Sequence, residues 1–324
     1  MKLYSLLLML SLSLLISCQK EEGTSTPPPS FKIGKNRFTL TADGVEREYY
    51  VHVPKGYTGT TATPVVFMFH GSNQSGEQFY NISGWKEVGE SENILTVFPS
   101  ALVYCVTEDG VTETISKWNS LPGGADFCPK VVLKDDLKFM RAMFADLGAK
   151  FKVDPKRIYT VGFSSGGQFS ATCAVKLSDL IAAAVSCGGG GALPRDSVYK
   201  PVRLLPTMLF FGNMDEKMIK GVGLPVGAAV PMGFTQLYKD YPFLYAVQPK
   251  PFINTFQLKE SSYTTSGDPN SAVVADYQGL SGRADHVFKM VEVKGLEHEY
   301  PNGTNHPMKA AVFHWAWFKQ FSLP

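Results

Sequence analysis

The chain has 324 residues, 44% of them hydrophobic and 12% aromatic, which is enough apolar material for a sizeable core. Its 31 basic and 29 acidic residues leave a formal charge of +2 with no block of like sign, which excludes a protein built around an electrostatic footprint for nucleic acid or an anionic membrane surface. No internal repeat is visible, and residues 31–324 have the length of a single α/β unit.

Lys2 is followed by an apolar run over residues 3–16 that is too short to span a bilayer. A positive start, a short apolar stretch and small residues before a cleavage point describe a signal peptide. Its end, Leu15-Ile16-Ser17-Cys18, resembles a bacterial lipobox, which implies removal of residues 1–17 and lipidation of Cys18. Residues 18–30 continue as a polar tether ending in Pro27-Pro28-Pro29, a composition that favours an extended linker over a folded element. Its opening, Gln19-Lys20-Glu21-Glu22, resembles the surface-export signal of Bacteroidota lipoproteins. The expected location is the outer membrane, periplasmic or cell-surface, with the lipid anchor as the membrane contact.

Beyond the tether, short apolar strands alternate with helical patterns. Residues 47–53 alternate as a half-exposed strand, and residues 64–71 (PVVFMFHG) and 93–100 (NILTVFPS) are continuously apolar strands running into loops. Leu137, Met140, Phe144 and Leu147 form one helical stripe. Residues 157–162, 180–187, 206–212 and 287–293 read as buried strands, and residues 308–321 as an aromatic-rich closing helix. Buried strands separated by helices predict a mainly parallel, doubly wound α/β sheet in a single catalytic domain. Ligands in such sheets bind in the loops beyond the carboxyl ends of the strands.

One of those loops is Gly162-Phe163-Ser164-Ser165-Gly166, between a predicted strand and a helical pattern. That is the context of a nucleophile elbow, whose tight turn needs small residues two before and two after the serine. Ser164 has glycine at both places, whereas Ser165 would have Phe163 at the first, so Ser164 is the candidate nucleophile. A serine hydroxyl needs a base, and the base an orienting acid, in the chain order Ser, acid, His. Asp215 follows the strand 206–212 and His298 follows the strand 287–293, so these are the candidate acid and base. Glu216 and Asp240 are rivals for the acid, and His306 for the base. His52, His286 and His314 fall in or before structural elements and read as structural. The oxyanion hole is expected from the backbone N–H of Ser165 and one from the glycine-containing loop 69–76, with Ser72 the leading donor and Gly71 or Asn73 the alternatives if the loop is shifted. His70 is read as a buttress of this loop at the border of the substrate site.

Four cysteines follow Cys18, with spacing that fits no zinc motif. In an oxidising compartment they permit two disulfides. Cys105 and Cys128 flank one loop and are the expected pair, with Cys173 and Cys187 either a second pair or buried free thiols.

The stretches REYYVHVPKGY, PVVFMFHG, VDPKRIYTVGFSSGG, FFGNMDE and GLEHEYP together resemble the polyhydroxybutyrate depolymerase and feruloyl esterase branch of the α/β-hydrolase superfamily, over nearly all of residues 37–320. The resemblance implies Ser164 as nucleophile, Asp215 as acid and His298 as base, with no metal or organic cofactor. It implies that Trp118 walls the acyl site and that Asp135 and Asp136 are structural caps. The chain departs from the family where DEKMI and GLEHEY replace its usual valine and proline after the acid and glycines before the histidine. The implied activity is that of a serine carboxylesterase acting on feruloyl, acetyl or short-chain acyl esters, with small-molecule or oligosaccharide ester substrates. A polyhydroxyalkanoate oligomer depolymerase, a peptidase on the same fold and a non-catalytic binding protein are the alternatives. The 82 residues between Asp215 and His298 carry no readable motif and are where substrate selection is expected.

Overall fold

Runs of β-branched and aromatic residues too short for helices set the strands. The computed structural model describes residues 31–324 apart from Asp109, residues 121–126 and Gly191. The signal peptide, Cys18 and the tether fall outside the described residues.

In chain order, β1 (Gly34–Ala42) and β2 (Val45–Val53) form a hairpin, and β3 (Thr63–Phe69) leads into α1 (Gly76–Ile82) and α2 (Trp85–Glu92). Next come β4 (Leu95–Pro99), a second hairpin of β5 (Val103–Glu108) and β6 (Val111–Ser116), and α3 (Asp136–Lys150). The units β7 (Val153–Phe163) with α4 (Ser165–Lys176), β8 (Ala183–Cys187) and β9 (Thr207–Gly212) follow. An insert of short helices, α5 (Glu216–Gly221), α6 (Phe234–Asp240), α7 (Pro242–Val247) and α8 (Pro249–Thr255), precedes β10 (Leu258–Asp268), β11 (Ala272–Gly279) and β12 (Val287–Val293). The last helix is α9 (Ala310–Phe318).

All strands except β5 and β6 join one sheet in the order β1-β2-β4-β3-β7-β8-β9-β12-β11-β10. The run from β4 to β12 is parallel, and antiparallel strands close it at either edge. Both faces are covered, as the period of two requires. Val65, Phe67 and Phe69 pack into the core under α3 and α4, while Val66 and Met68 enter the opposite core with Phe79, Trp85 and Phe318 of α1, α2 and α9.

The expected half-exposed strand at 47–53 is buried along residues 49–53 because β1 and β4 flank it and both faces are packed. Of the acidic pair, only Asp135 caps α3, accepting from the N–H groups of Leu137 (2.8 Å) and Lys138 (3.1 Å). Asp136 instead pairs with Arg47 at 2.7 Å, both side chains fully buried, and accepts the N–H of Asn119. A buried charge needs such a partner, and Arg47 supplies it while resting on the ring of Phe139.

Candidate active site

β7 ends at the turn that carries Ser164. Its backbone sits at φ 53° and ψ −120°, a region costing about 1–3 kcal/mol for a residue with a side chain. The turn closes only because its flanks are bare. A Cβ on Gly162 would lie 2.0 Å from the carbonyl oxygen of Gly166, and one on Gly166 would lie 2.4 Å from those of Phe69 and His70. The Ser164 N–H donates to the carbonyl of Cys187 at 2.9 Å, tying the turn to β8. The hydroxyl is thereby presented above the carboxyl ends of the strands.

Asp215 and His298 arrive from β9 and β12. Ser164 Oγ lies 3.0 Å from His298 Nε2, and His298 Nδ1 lies 2.9 Å from Asp215 Oδ2. With Nδ1–H donating to the carboxylate, the lone pair of Nε2 faces the serine hydroxyl. Asp215 also caps α5, its Oδ1 accepting from the N–H of Lys217 at 3.0 Å, so one carboxylate orients the histidine and starts a helix. The two loops are locked together. Met214 N–H donates to Leu296 O, and Asn213 Oδ1 accepts the N–H of Gly295 at 2.7 Å. Gly212 permits this crossing, since a Cβ there would fall 1.9 Å from the Leu296 carbonyl oxygen. The rivals lie elsewhere: Glu216 is exposed on α5, Asp240 bonds Gln236, and His306 Nε2 bonds the carbonyl of Lys294.

Of the three loop donors considered for the oxyanion, two are occupied. Gly71 N–H donates to Gln74 Oε1 at 2.9 Å and Asn73 N–H to Ser116 O at 2.9 Å. Ser72 N–H has no such partner among the described residues, and Ser72 and Ser165 both border the cavity beside Ser164. Ser165 opens α4, where first-turn amides are free of helical bonds and the helix dipole favours negative charge.

Two residues expected at the substrate stand behind the site instead. His70 is fully buried. It accepts the N–H of Ala101 on Nε2 (2.9 Å) and so donates from Nδ1 to Gly71 O (2.7 Å). Burial pushes its pKa down to about 4, keeping it neutral in this role. Trp118, also fully buried, stacks on Phe169 with ring centroids 4.8 Å apart and donates its indole N–H to His70 O at 2.9 Å. It cannot wall the acyl site, because its ring lies in the core between Phe69 and Phe169. Both residues support the oxyanion loop from beneath. His52, His286 and His314 are likewise buried and bonded, to Tyr80 and Glu90, to Ser281 and Phe256, and to Tyr300.

Ser164 and His298 open onto a cavity of about 400 Å³. One side carries an ion pair between Glu108, at the turn end of β5, and Lys117, just beyond β6. A disulfide joins Cys105 to Cys128 across this region, while Cys173 and Cys187 are buried free thiols. The part formed by the insert combines an apolar surface, Met218 of α5 with Phe243, Leu244 and Val247 of α7, with the polar side chains of Lys217 and Gln248.

No family model matches the chain. Feruloyl esterase B of Piromyces equi is 27% identical over 284 residues, covering 86% of this chain and 46% of the relative. Poly(3-hydroxyalkanoate) depolymerase C of Paucimonas lemoignei is 24% identical over 143 residues, covering 44% of this chain and 31% of the relative. The chain thus spans about half or less of the length of these curated relatives. Among solved structures, the acetyl xylan esterase from Aspergillus awamori superposes with a TM-score of 0.55 at 14% identity, over 88% of this chain and 99% of that one, a likeness of fold. The chain has the α/β-hydrolase fold and is similar in sequence to a feruloyl esterase and to a poly(3-hydroxyalkanoate) depolymerase.

Several residues of this α/β-hydrolase's site are silent in the sequence. Asn213 looks like any turn-former, yet its amide links the acid loop, the base loop and the carbonyl of Val230 in the insert. Ser116 supports the oxyanion loop through both its carbonyl and its hydroxyl, the latter donating to Gln74 O. Phe243 lies in the insert that carried no motif. The loop position after β9 hinted at Asn213 and the expected role of the 216–297 segment in substrate selection hinted at the region of Phe243, while nothing hinted at Ser116.

Proposed function

We propose that this α/β-hydrolase is a serine carboxylesterase working through an acyl-enzyme. Ser164 Oγ attacks the ester carbonyl as its proton passes to His298 Nε2. Asp215 holds the Nδ1–H and stabilises the imidazolium that forms. The carbonyl oxygen becomes an oxyanion facing the N–H groups of Ser72 and Ser165. Collapse breaks the bond to the alcohol, which leaves with the proton from His298. Water then enters, gives its proton to the same nitrogen, and releases the acid and free Ser164. The observation that carries this reading is the unbroken Ser164–His298–Asp215 hydrogen-bond chain, at 3.0 and 2.9 Å, beside a cavity that Ser72 and Ser165 also border.

The substrates proposed are feruloyl, acetyl or short-chain acyl esters on polysaccharide fragments, supported by the match to a protein named feruloyl esterase B. A polyhydroxyalkanoate oligomer depolymerase is the second reading, favoured by the match to depolymerase C. The enzyme is proposed to be exported and held by a lipidated Cys18 at the outer membrane, on the strength of residues 1–18. Labelled palmitate incorporated by the wild type and lost in Cys18→Ala is the expected result.

The deciding experiment compares methyl ferulate and 4-nitrophenyl acetate with matched amides and with hydroxybutyrate oligomers. Ester turnover should exceed amide turnover, and Ser164→Ala should lower kcat by about 10³-fold or more. Ser165→Ala should keep most activity, because its Oγ has no hydrogen-bond partner and alanine retains the N–H. Preferential amide cleavage, or turnover surviving Ser164→Ala, would defeat the reading. Cleavage of hydroxybutyrate oligomers alone would select the second one.

A further inference from the structure

Among the described residues, Phe243 is the one exposed aromatic side chain. It is 49% exposed, while every tryptophan is buried and all other phenylalanine and tyrosine rings are buried or half-buried. A single exposed apolar residue is ordinary on a protein surface and needs no function. Phe243 differs in its position, because it borders the cavity that holds Ser164 and His298. It is also continuous with an apolar wall rather than isolated, since Met218, Leu244 and Val247 border the same space.

The local structure fixes where the ring sits. Pro242 at the first position of α7 sets the backbone entry, and Leu244, 2% exposed, anchors the helix in the core. Residues 243 and 247 lie one turn apart on a single helical face, so Phe243 and Val247 border the cavity together. The neighbouring aromatic residues are used internally. Tyr245 meets Tyr238 edge-on with ring centroids 5.3 Å apart, whereas Phe243 has no ring or cation against it among the described residues. A flat apolar face is therefore left open at the mouth of a reactive cavity.

We propose that Phe243 is a specificity-determining residue that stacks on an aromatic ring of the substrate, a role that rests on the esterase reading for its chemistry. The ring to be stacked is apolar and planar. Met218, Leu244 and Val247 continue the apolar surface of Phe243, while the polar groups that border the cavity, Lys217, Gln248, Glu108 and Lys117, are left to the ester and ring substituents. Offset or edge-to-face contact between rings adds to simple burial and rewards a planar partner over an acetyl group. Phe243 thus takes the place that family resemblance gives to Trp118, from a different element and the opposite wall.

The test is the ratio of kcat/KM for methyl cinnamate to that for ethyl acetate. Phe243→Ala should lower this ratio about tenfold, chiefly through KM for the cinnamate, and Phe243→Trp should restore it. An unchanged ratio overturns the proposal, as does equal loss on both esters. Calorimetric binding of methyl cinnamate to Ser164→Ala gives a readout free of catalysis. Adding Phe243→Ala should weaken Kd about tenfold, and an unchanged Kd overturns the proposal. Wild-type protein that binds methyl cinnamate through Phe243 yet cleaves neither ester would uphold the ring site and defeat the esterase reading instead.

Discussion

On one side of the cavity, Glu108 and Lys117 sit on a hairpin held by the Cys105–Cys128 disulfide; on the other, Phe243, Leu244 and Val247 sit on a helix of six residues. The hairpin wall is polar and is tied directly to the oxyanion loop, through Ser116 to Asn73 and Gln74 and through Trp118 to His70. The insert side joins Phe243, Leu244 and Val247 to the polar Lys217 and Gln248, and is fastened to the loop after β9 and to β12. Asn213 Nδ2 donates to Val230 O, and Glu292 Oε2 accepts the Gly233 N–H at 2.7 Å. If Ser72 and Ser165 hold the oxyanion, a wall fastened to their loop should constrain the rate, while a wall fastened behind Asp215 should change which substrate fits.

The largest contrast is expected between the two aromatic residues. Trp118→Ala empties a fully buried site and should cost about 3–5 kcal/mol of stability. Phe243→Ala removes a half-exposed ring and should stay within about 0.5 kcal/mol. Denaturant titration of both variants checks this, and similar losses would erase the distinction between the walls.

Removing the disulfide is expected to follow. Its cysteines are 23 residues apart, and Cys105→Ser with Cys128→Ser should cost about 2–4 kcal/mol. Because Ser116 ends β6, kcat should fall in this variant while KM for small esters holds. A change confined to KM would mean that the hairpin shapes binding and leaves the oxyanion loop alone.

Asn213→Ala should come next. Losing the bond to Val230 leaves a buried carbonyl without this partner, a penalty of about 1–3 kcal/mol, and losing the bond to the exposed Gly295 unties the base loop. The acid and base loops would then drift, lowering kcat about tenfold with little change in KM. Wild-type kcat in this variant would show that the Met214–Leu296 bond suffices.

The last effect is one of pH. Glu292 lies fully buried on β12, with Oε1 lacking a partner, and burial raises its pKa from 4.5 to about 7. Between these values the unfolded chain is ionised while the folded one keeps its proton. Stability is therefore lost as pH rises through that window and levels off above about 7. Glu292→Gln keeps an acceptor for Gly233 and should flatten this slope in melting curves between pH 5 and 8. Parallel slopes for the variant and the wild type would remove Glu292 from the balance.

Much of the hairpin-to-insert contrast was hidden in the sequence for physical reasons. The parallel strands were legible because burial on both faces demands unbroken apolar runs, and the elbow because its glycines answer a steric requirement. The β5–β6 hairpin and β10 alternate weakly and face solvent, so their patterns resemble loops. Helices α5 to α8 are six or seven residues long, too short to show a helical period. Asp215 was legible as the candidate acid from its place after β9, and its part in capping α5 could not be separated from that by composition. Trp118 was misplaced because a tryptophan beside a glycine-rich loop reads the same whether its ring faces substrate or core. Only packing against Phe69 and Phe169 decides between them.

The central claim, that Ser164 is a nucleophile driven by His298 and oriented by Asp215, is met most directly by covalent labelling. Treating the protein with an alkyl fluorophosphonate and mapping the adduct by mass spectrometry should place one phosphonyl group on Ser164. The adduct should be absent from Ser164→Ala, retained in Ser165→Ala and slowed by about 10³-fold or more in His298→Ala. An adduct on Ser165, or labelling of Ser164 at the same rate without His298, would contradict the account.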